Sequence, residues 1–163
     1  MLALLLAAAV QGPADVVSLT AASDVVVRAQ VVRKQSHWVE GGGQIFTTVT
    51  LRTLETWKGE RAAQLSVLVP GGVVGEIDQV VQGAAAFREG EEVVVFLQRR
   101  APRVYDVSRM ALGKFSVGAA SAKARKRAVR DRTGLSCQGC GSDEPDDLSL
   151  HELRDRVLGA LRK

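Results

Sequence analysis

The sequence predicts a mainly β chain, an antiparallel barrel of five to six strands followed by a short C-terminal α-helix. Valine-rich segments with strand patterning follow one another on short connections, and no helical pattern separates them. One of them, residues 45–59, is far longer than the about 5–6 residues of a usual strand. A strand of that length bends or changes neighbours along its course, as strands of small closed barrels do.

The strands are predicted in chain order from their side-chain patterns. Residues 25–32 are apolar almost throughout, which is typical of a strand buried on both faces. Residues 45–59 alternate inward and outward positions and end in a Lys-Gly turn. Residues 65–70 form the third strand, and residues 93–97 form the fourth and most buried one. Residues 104–107 and 113–117 are expected to pair as a last hairpin.

The C-terminal segment 148–163 has the pattern of an amphipathic helix. Ser149 and Glu152 form a capping box at its start. Four apolar residues recur at helical spacing: Leu150, Leu153, Val157 and Leu161. This helix is expected to pack on the barrel.

Length and composition indicate one globular domain. The chain has 163 residues, 46% of them hydrophobic and 25% charged, which is ordinary for a soluble protein with a real core. We expect the barrel over residues 16–118, a basic and then acidic linker with a Cys-x-x-Cys motif over 119–147, and the helix over 148–163. The net charge of +4 is too small to imply nucleic acid by itself.

Residues 1–10 are apolar and end in small residues, the pattern that closes a signal peptide. They are too short to cross a bilayer, which takes about 20 residues. We therefore expect an exported protein, periplasmic, in the cell envelope or extracellular, with no membrane span in the mature chain. The alternative is a buried first strand or helical turn.

Residues 33–43 are predicted as a polar hairpin connection that carries His37 and Trp38. An exposed aromatic side chain on a loop often anchors a partner, and a histidine can titrate or bind a metal. The alternative is that Trp38 folds back over the barrel mouth while His37 stays solvated. Both residues are binding candidates.

Residues 119–132 contain a cluster of cations: Lys123, Arg125, Lys126, Arg127, Arg130 and Arg132. Such a cluster can bind nucleic acid, an anionic polysaccharide or an anionic membrane. It lacks the interleaved aromatic residues on which bases stack. A solvated linker or the exposed face of a short helix is the favoured interpretation of the cluster.

Cys137 and Cys140 are the only cysteines. In an exported protein they are candidates for a local disulfide. A thiol redox motif would normally stand at a helix start in a βαβ unit, which this sequence does not show. A zinc site would need two further ligands, and none forms a convincing set with them.

Three short segments carry a resemblance to a known family. Residues 23–31, 51–59 with their Trp57-Lys58-Gly59 ending, and 92–97 resemble strands of the netrin-like domains, including the tissue inhibitors of metalloproteinases. The order of strands and turns is also similar to that of uncharacterised exported bacterial proteins. The resemblance implies an OB-fold-like, five-stranded Greek-key barrel. The family's inhibitors chelate the target zinc through an N-terminal Cys-x-Cys, and this chain has no cysteine before Cys137, so that mechanism cannot be transferred.

The sequence offers no catalytic constellation, since its two histidines are far apart and neither stands beside a nucleophile. We expect no metal and no cofactor. The leading hypothesis is a monomeric, non-enzymatic binding module that engages a protein or polymer through residues 33–43 and 73–83. One alternative is an OB-fold binder of anionic polysaccharide or nucleic acid through residues 123–132, although export disfavours nucleic acid. Another is a thiol redox protein that uses the Cys-x-x-Cys motif.

Overall fold

The computed structural model describes residues 10–11, 13–132, 135, 137–138 and 144–163. Residues 1–9 lie outside the described residues, so the predicted signal peptide stays a prediction. Cys140 and the side chain of Cys137 also lie outside them, and so does the predicted pairing of these cysteines.

The described residues form a mainly β fold with a short C-terminal helix, which confirms this part of the predicted class. The strands are β1 (Val10–Gln11), β2 (Val25–Trp38), β3 (Ile45–Lys58), β4 (Gln64–Pro70), β5 (Gly72–Val74), β6 (Ile77–Gln79), β7 (Glu92–Ala101), β8 (Val104–Val107), β9 (Lys114–Gly118), β10 (Arg127–Val129), β11 (Cys137–Gln138) and β12 (Asp147–Ser149). The helices are α1 (Val16–Ala22) and α2 (Leu150–Ala160), and a 3-10 turn spans Met110–Gly113.

Eight strands form one mixed sheet in the order β12-β10-β9-β7-β2-β3-β4-β8. Strand β7 pairs with β8 as well. Strands β2, β3, β4, β8 and β7 are therefore connected in a ring of hydrogen-bonded pairs. Two further two-stranded sheets, β1 with β11 and β5 with β6, share no strand pairing with this sheet.

The ring contains one parallel pair, β4 with β8, in which Val67 lies opposite Tyr105. The other pairs of the ring are antiparallel. Strand direction cannot alternate around a ring with an odd number of strands, so at least one parallel pair is unavoidable. The prediction of an entirely antiparallel sheet is wrong at this pair.

Strand β7 is shared between two neighbours on one side. Its first half, Glu92 to Val95, pairs with β9, and its second half, Leu97 to Ala101, pairs with β8. Strands β8 and β9 do not pair with each other in the described residues. The prediction of a last hairpin is therefore wrong, because both of its strands pair with the longer strand β7.

Strand β2 continues to Trp38, six residues beyond the predicted end of the first strand. Residues 33–38, predicted as part of a loop, pair with the first half of β3, from Thr50 down to Ile45. Their side chains are mostly exposed because this part of the hairpin extends past the core. The β2–β3 ladder shifts register at three points, as expected for long strands that coil.

The first halves of β2 and β7 are buried on both faces, as their valine-rich sequences predict. Val27 and Val95 face the interior of the ring together with Tyr105. Their neighbours in sequence, Val26 and Val94, face outward toward the two helices. The residues that cover this outer face include Val16 and Leu19 of α1, Leu153 and Val157 of α2, and Phe115 of β9.

Helix α2 begins where the sequence predicts. The hydroxyl of Ser149 accepts a hydrogen bond from the backbone N–H of Glu152 at 3.1 Å, as an N-cap residue does. The carboxylate of Glu152 instead bonds Arg156. Leu153 and Val157 are buried against the ring, whereas Leu161 is exposed after the helix ends.

Candidate functional site

The tip of the β2–β3 hairpin and the β5–β6 hairpin lie against each other. The backbone N–H of Val73 donates to the hydroxyl of Ser36 at 3.3 Å, and the N–H of Ile45 donates to Oε1 of Gln79 at 2.6 Å. The hydroxyl of Thr47 donates to the carbonyl of Gly71 at 2.8 Å. Residues 33–43 and 73–83, both predicted as binding loops, therefore meet in the fold.

Gly72 makes this contact possible. Its φ of +139° is a conformation that L residues rarely adopt, and a Cβ placed there would lie 2.3 Å from Oγ1 of Thr47 and 2.4 Å from Oγ of Ser36. Only a residue without a side chain allows β5 to approach the ends of β2 and β3 so closely.

Half of the ten exposed large apolar side chains among the described residues lie on these two hairpins or directly after them. We call the five the hairpin surface: Trp38, Val39, Val73, Ile77 and Val80. Trp38 is 43% exposed and Val80 is 73% exposed. Trp38 and Ser36 share a face of β2, because side chains alternate along a strand. Gly72 lies against that face.

His37 and Trp38 end β2 and pair with Phe46 and Ile45 of β3. Both are exposed. Their role in binding stays a prediction. The structure places a second hairpin, with the exposed side chains of Val73 and Ile77, against this end of β2, which residues 33–43 alone did not indicate.

Most cations of the basic segment are paired with carboxylates of their own chain. Lys126 contacts Glu92, Arg127 contacts Asp147 and Arg132 contacts Asp146, each at 2.6 Å. Lys123 and Arg125 make no ion pair within the part of the chain that the structure describes. The binding role expected for this segment stays a prediction, but its free charge is smaller than its sequence suggests.

Arg130 of the same segment is buried, and its side chain is inaccessible to solvent. Its guanidinium contacts Asp146 at 2.9 Å and Glu144 at 3.7 Å. Burial lowers the pKa of Arg130, while Asp146 acts in the opposite direction, and an arginine remains protonated in either case. This residue holds the fold together and presents no charge at the surface.

A cavity of about 630 Å³ lies between the ring and α2; we call it the helix cavity. Strands β2 and β3 contribute Arg28, Glu55 and Trp57, the basic segment contributes Arg125 and Lys126, and α2 contributes Arg154. Ser149, Leu150 and His151, at the start of α2, complete its walls.

Two carboxylates organise the charge around the helix cavity. Glu92 does not line the cavity itself but accepts hydrogen bonds from two residues that do, Arg28 and Lys126. Glu55 contacts Arg154 at 2.7 Å and Arg28 at 4.0 Å.

The pKa values of both carboxyl groups are lowered. Burial acts to raise the pKa of Glu92, but its bonds to Lys126 and Arg28 outweigh burial. For Glu55, burial is outweighed by the indole N–H of Trp57 and by the guanidinium of Arg154. That indole N–H is close enough to affect Glu55 yet makes no hydrogen bond of normal geometry.

Sequence reasoning missed the helix cavity except for Arg125 and Lys126. Arg28, Glu55, Glu92 and Arg154 are separated by tens of residues, and each stands in an ordinary strand or helix pattern. The local signal that the sequence gives for this site is a charged residue beside an apolar run, such as Arg28 after three valines.

No group of three or more histidine, cysteine, aspartate or glutamate side chains among the described residues is arranged to hold a metal ion. None of the described helices has the length and apolarity needed to cross a membrane. No protein-family model matches the chain, and no curated protein matches it either.

Proposed function

We propose that this protein is a non-enzymatic binding module that docks a protein partner through the hairpin surface. The observation that carries the proposal is the gathering of five exposed apolar side chains on two hydrogen-bonded hairpins. Contiguous exposed apolar patches are typical of protein-interaction sites. Tryptophan is among the residues that most often anchor such interfaces, and Trp38 stands at the tip of one hairpin.

The chemistry of the hairpin surface favours a protein over an anionic polymer. Its second hairpin carries Glu76 and Asp78, and residues 71–83 contain no lysine or arginine. A polyanion would meet repulsion there. A protein with an apolar patch would bury Trp38 and Val80 and keep the acidic residues at the solvated rim.

We further propose that the ring of five strands is a closed Greek-key barrel of the OB-fold-like, netrin-like kind, in an exported protein. The ring of pairings from β2 through β3, β4, β8 and β7 supports the barrel. The apolar residues 1–10 support export. The partner would then be a protein of the periplasm, cell envelope or extracellular fluid.

The test uses the full chain as bait in extracellular or envelope fluid, with a photocrosslinking amino acid in place of the exposed Val39 in every protein compared. One comparison is between the otherwise wild-type chain and the double variant Trp38→Ala, Val80→Ser. The matched control is Leu54→Ala, Val129→Ser, since these residues are also large, apolar and exposed, at 45% and 44%, but lie elsewhere in the sheet.

We expect a discrete crosslinked partner whose capture is lost in the first double variant and kept in the control. Capture that survives Trp38→Ala, Val80→Ser, or falls equally in both double variants, would contradict the proposal. Far-ultraviolet circular dichroism of all variants establishes that the fold is retained.

A further inference from the structure

The walls of the helix cavity carry more positive than negative charge. Arg28, Arg125, Lys126 and Arg154 line it. Among the described residues, the carboxylates that pair with these cations are Glu55 and Glu92. Four cations facing two carboxylates leave an excess of two positive charges. Arg125, which makes no ion pair in the described part of the chain, is the cation most available to a ligand.

The remaining walls are apolar. Trp57 is only 5% exposed, so its indole forms part of the packed wall rather than a projecting side chain. Leu150 covers the adjoining position at the start of α2. The volume of about 630 Å³ falls within the range of small-molecule sites, roughly 300–1,000 Å³. We propose that the helix cavity binds a small organic anion, whose acidic group pairs with Arg125 and whose apolar body lies against Trp57 and Leu150.

A small ligand fits this site better than a polyanion. An extended polymer needs a continuous positive track, but Arg127 and Arg132 are paired with aspartates and Arg130 is buried. Outside the cavity, Lys123 is the one cation of the basic segment that is neither buried nor ion-paired in the described residues, so the segment offers no continuous positive track. A guanidinium such as that of Arg125 presents a planar set of donors that suits carboxylate, sulfonate or phosphate oxygens.

Substitution of Glu55 tests the proposal through the direction in which the anion affinity changes. Its carboxylate already engages Arg154 and Arg28 from within the cavity wall, so it competes with a bound anion for these cations. Replacing Glu55 with glutamine removes the competitor and keeps the shape. Glu55→Gln should tighten anion binding, whereas Arg125→Gln should weaken it. A purely structural role for these residues would not produce opposite effects.

The probe is 8-anilinonaphthalene-1-sulfonate, a fluorescent organic anion with an apolar body. The background is Trp38→Phe, which leaves Trp57 as the single tryptophan because the chain has two. Energy transfer from Trp57 to the bound probe then reports occupancy of the helix cavity. The change in transfer on Val80→Ser measures the contribution of probe bound at the hairpin surface.

We expect Arg125→Gln to weaken the transfer-detected affinity roughly tenfold, the loss of one hydrogen-bonded charge. Arg88→Gln, at an exposed arginine that lines a different cavity, should leave the affinity unchanged. Glu55→Gln should strengthen it severalfold. Benzoate should displace the probe at lower concentration than benzyl alcohol, which has the same ring and no charge.

Equal affinities for Arg125→Gln and Arg88→Gln would overturn the proposal. So would equal displacement by benzoate and benzyl alcohol, or weaker binding in a folded Glu55→Gln protein. Absence of energy transfer in the Trp38→Phe background would overturn it as well.

Discussion

Arg130 and Asp146 form an ion pair in which the arginine side chain is completely buried, with Nε 2.9 Å from Oδ1. The same guanidinium donates to the carbonyl of Ala14 at 2.5 Å and lies 4.9 Å from the ring centre of Phe115. One side chain thus connects the segment before α1, strand β9 and the segment before β12. A buried charge of this kind is tolerated only while its partners remain in place.

We expect Asp146→Asn to lower the free energy of unfolding by about 3 kcal/mol, because removing one partner leaves the buried cation uncompensated. Glu144, 3.7 Å from Nη2 of Arg130, limits the loss. Urea unfolding measures it. The matched control is Asp147→Asn, whose partner Arg127 is exposed, so its loss should stay below about 1 kcal/mol. Equal losses in the two variants would contradict this account of Arg130.

The two carboxyl groups near the helix cavity predict a pH dependence of stability. A carboxyl whose pKa is lowered by folding stabilises the folded state above its ordinary pKa. For Glu92 that ordinary value is 4.5. The stabilisation is lost as the pH falls from there through the lowered pKa. We expect Glu92→Gln to be less stable than the wild type by roughly 2 kcal/mol at pH 7, since two charged hydrogen bonds are weakened.

Urea unfolding of wild type and Glu92→Gln from pH 7 to pH 2.5 measures this dependence. The difference between the two proteins should shrink as the pH falls below 4.5. Glu76→Gln, at an exposed glutamate without an ion pair in the described residues, should match the wild type at neutral pH. A Glu92→Gln difference that stays constant across the range would show that the loss comes from something other than the ionised carboxylate.

The longer strands and the C-terminal helix could be predicted from sequence because their signals are local, whereas helix α1 and the short strand β10 were not predicted. The valine run of β7 and the serine N-cap of α2 can each be recognised from a few consecutive residues. Pairing is different, since it depends on segments far apart. Residues 33–38 are polar and look like a loop, yet they form the end of β2 because β3 is long enough to pair with them. The sharing of β7 between β8 and β9 has no local signal either.

The candidate site was only partly predictable for the same reason. Residues 33–43 and 73–83 were each predicted as binding segments, but their contact depends on the close approach at Gly72. The helix cavity depends on ion pairs such as Arg28–Glu92, which joins residues 64 positions apart. The basic segment carries less free charge than its sequence suggests, because aspartates later in the chain neutralise two of its arginines. Asp147 lies 20 positions after Arg127, and Asp146 lies 14 positions after Arg132.

Gly72 offers a direct test of how the hairpin surface is built. Gly72→Ala places a methyl group against the hydroxyls of Thr47 and Ser36, in a backbone conformation that costs a non-glycine residue about 1–3 kcal/mol. We expect the β5–β6 hairpin to detach, so that the amides of residues 72–79 exchange faster with deuterium while those of 93–97 stay protected. Gly75→Ala is the control for the steric contact, since Gly75 also has a positive φ, of 61°, but a Cβ there meets nothing within 4 Å. Unchanged exchange in Gly72→Ala, or equal effects of both variants, would mean that close packing at Gly72 does not hold the two hairpins together.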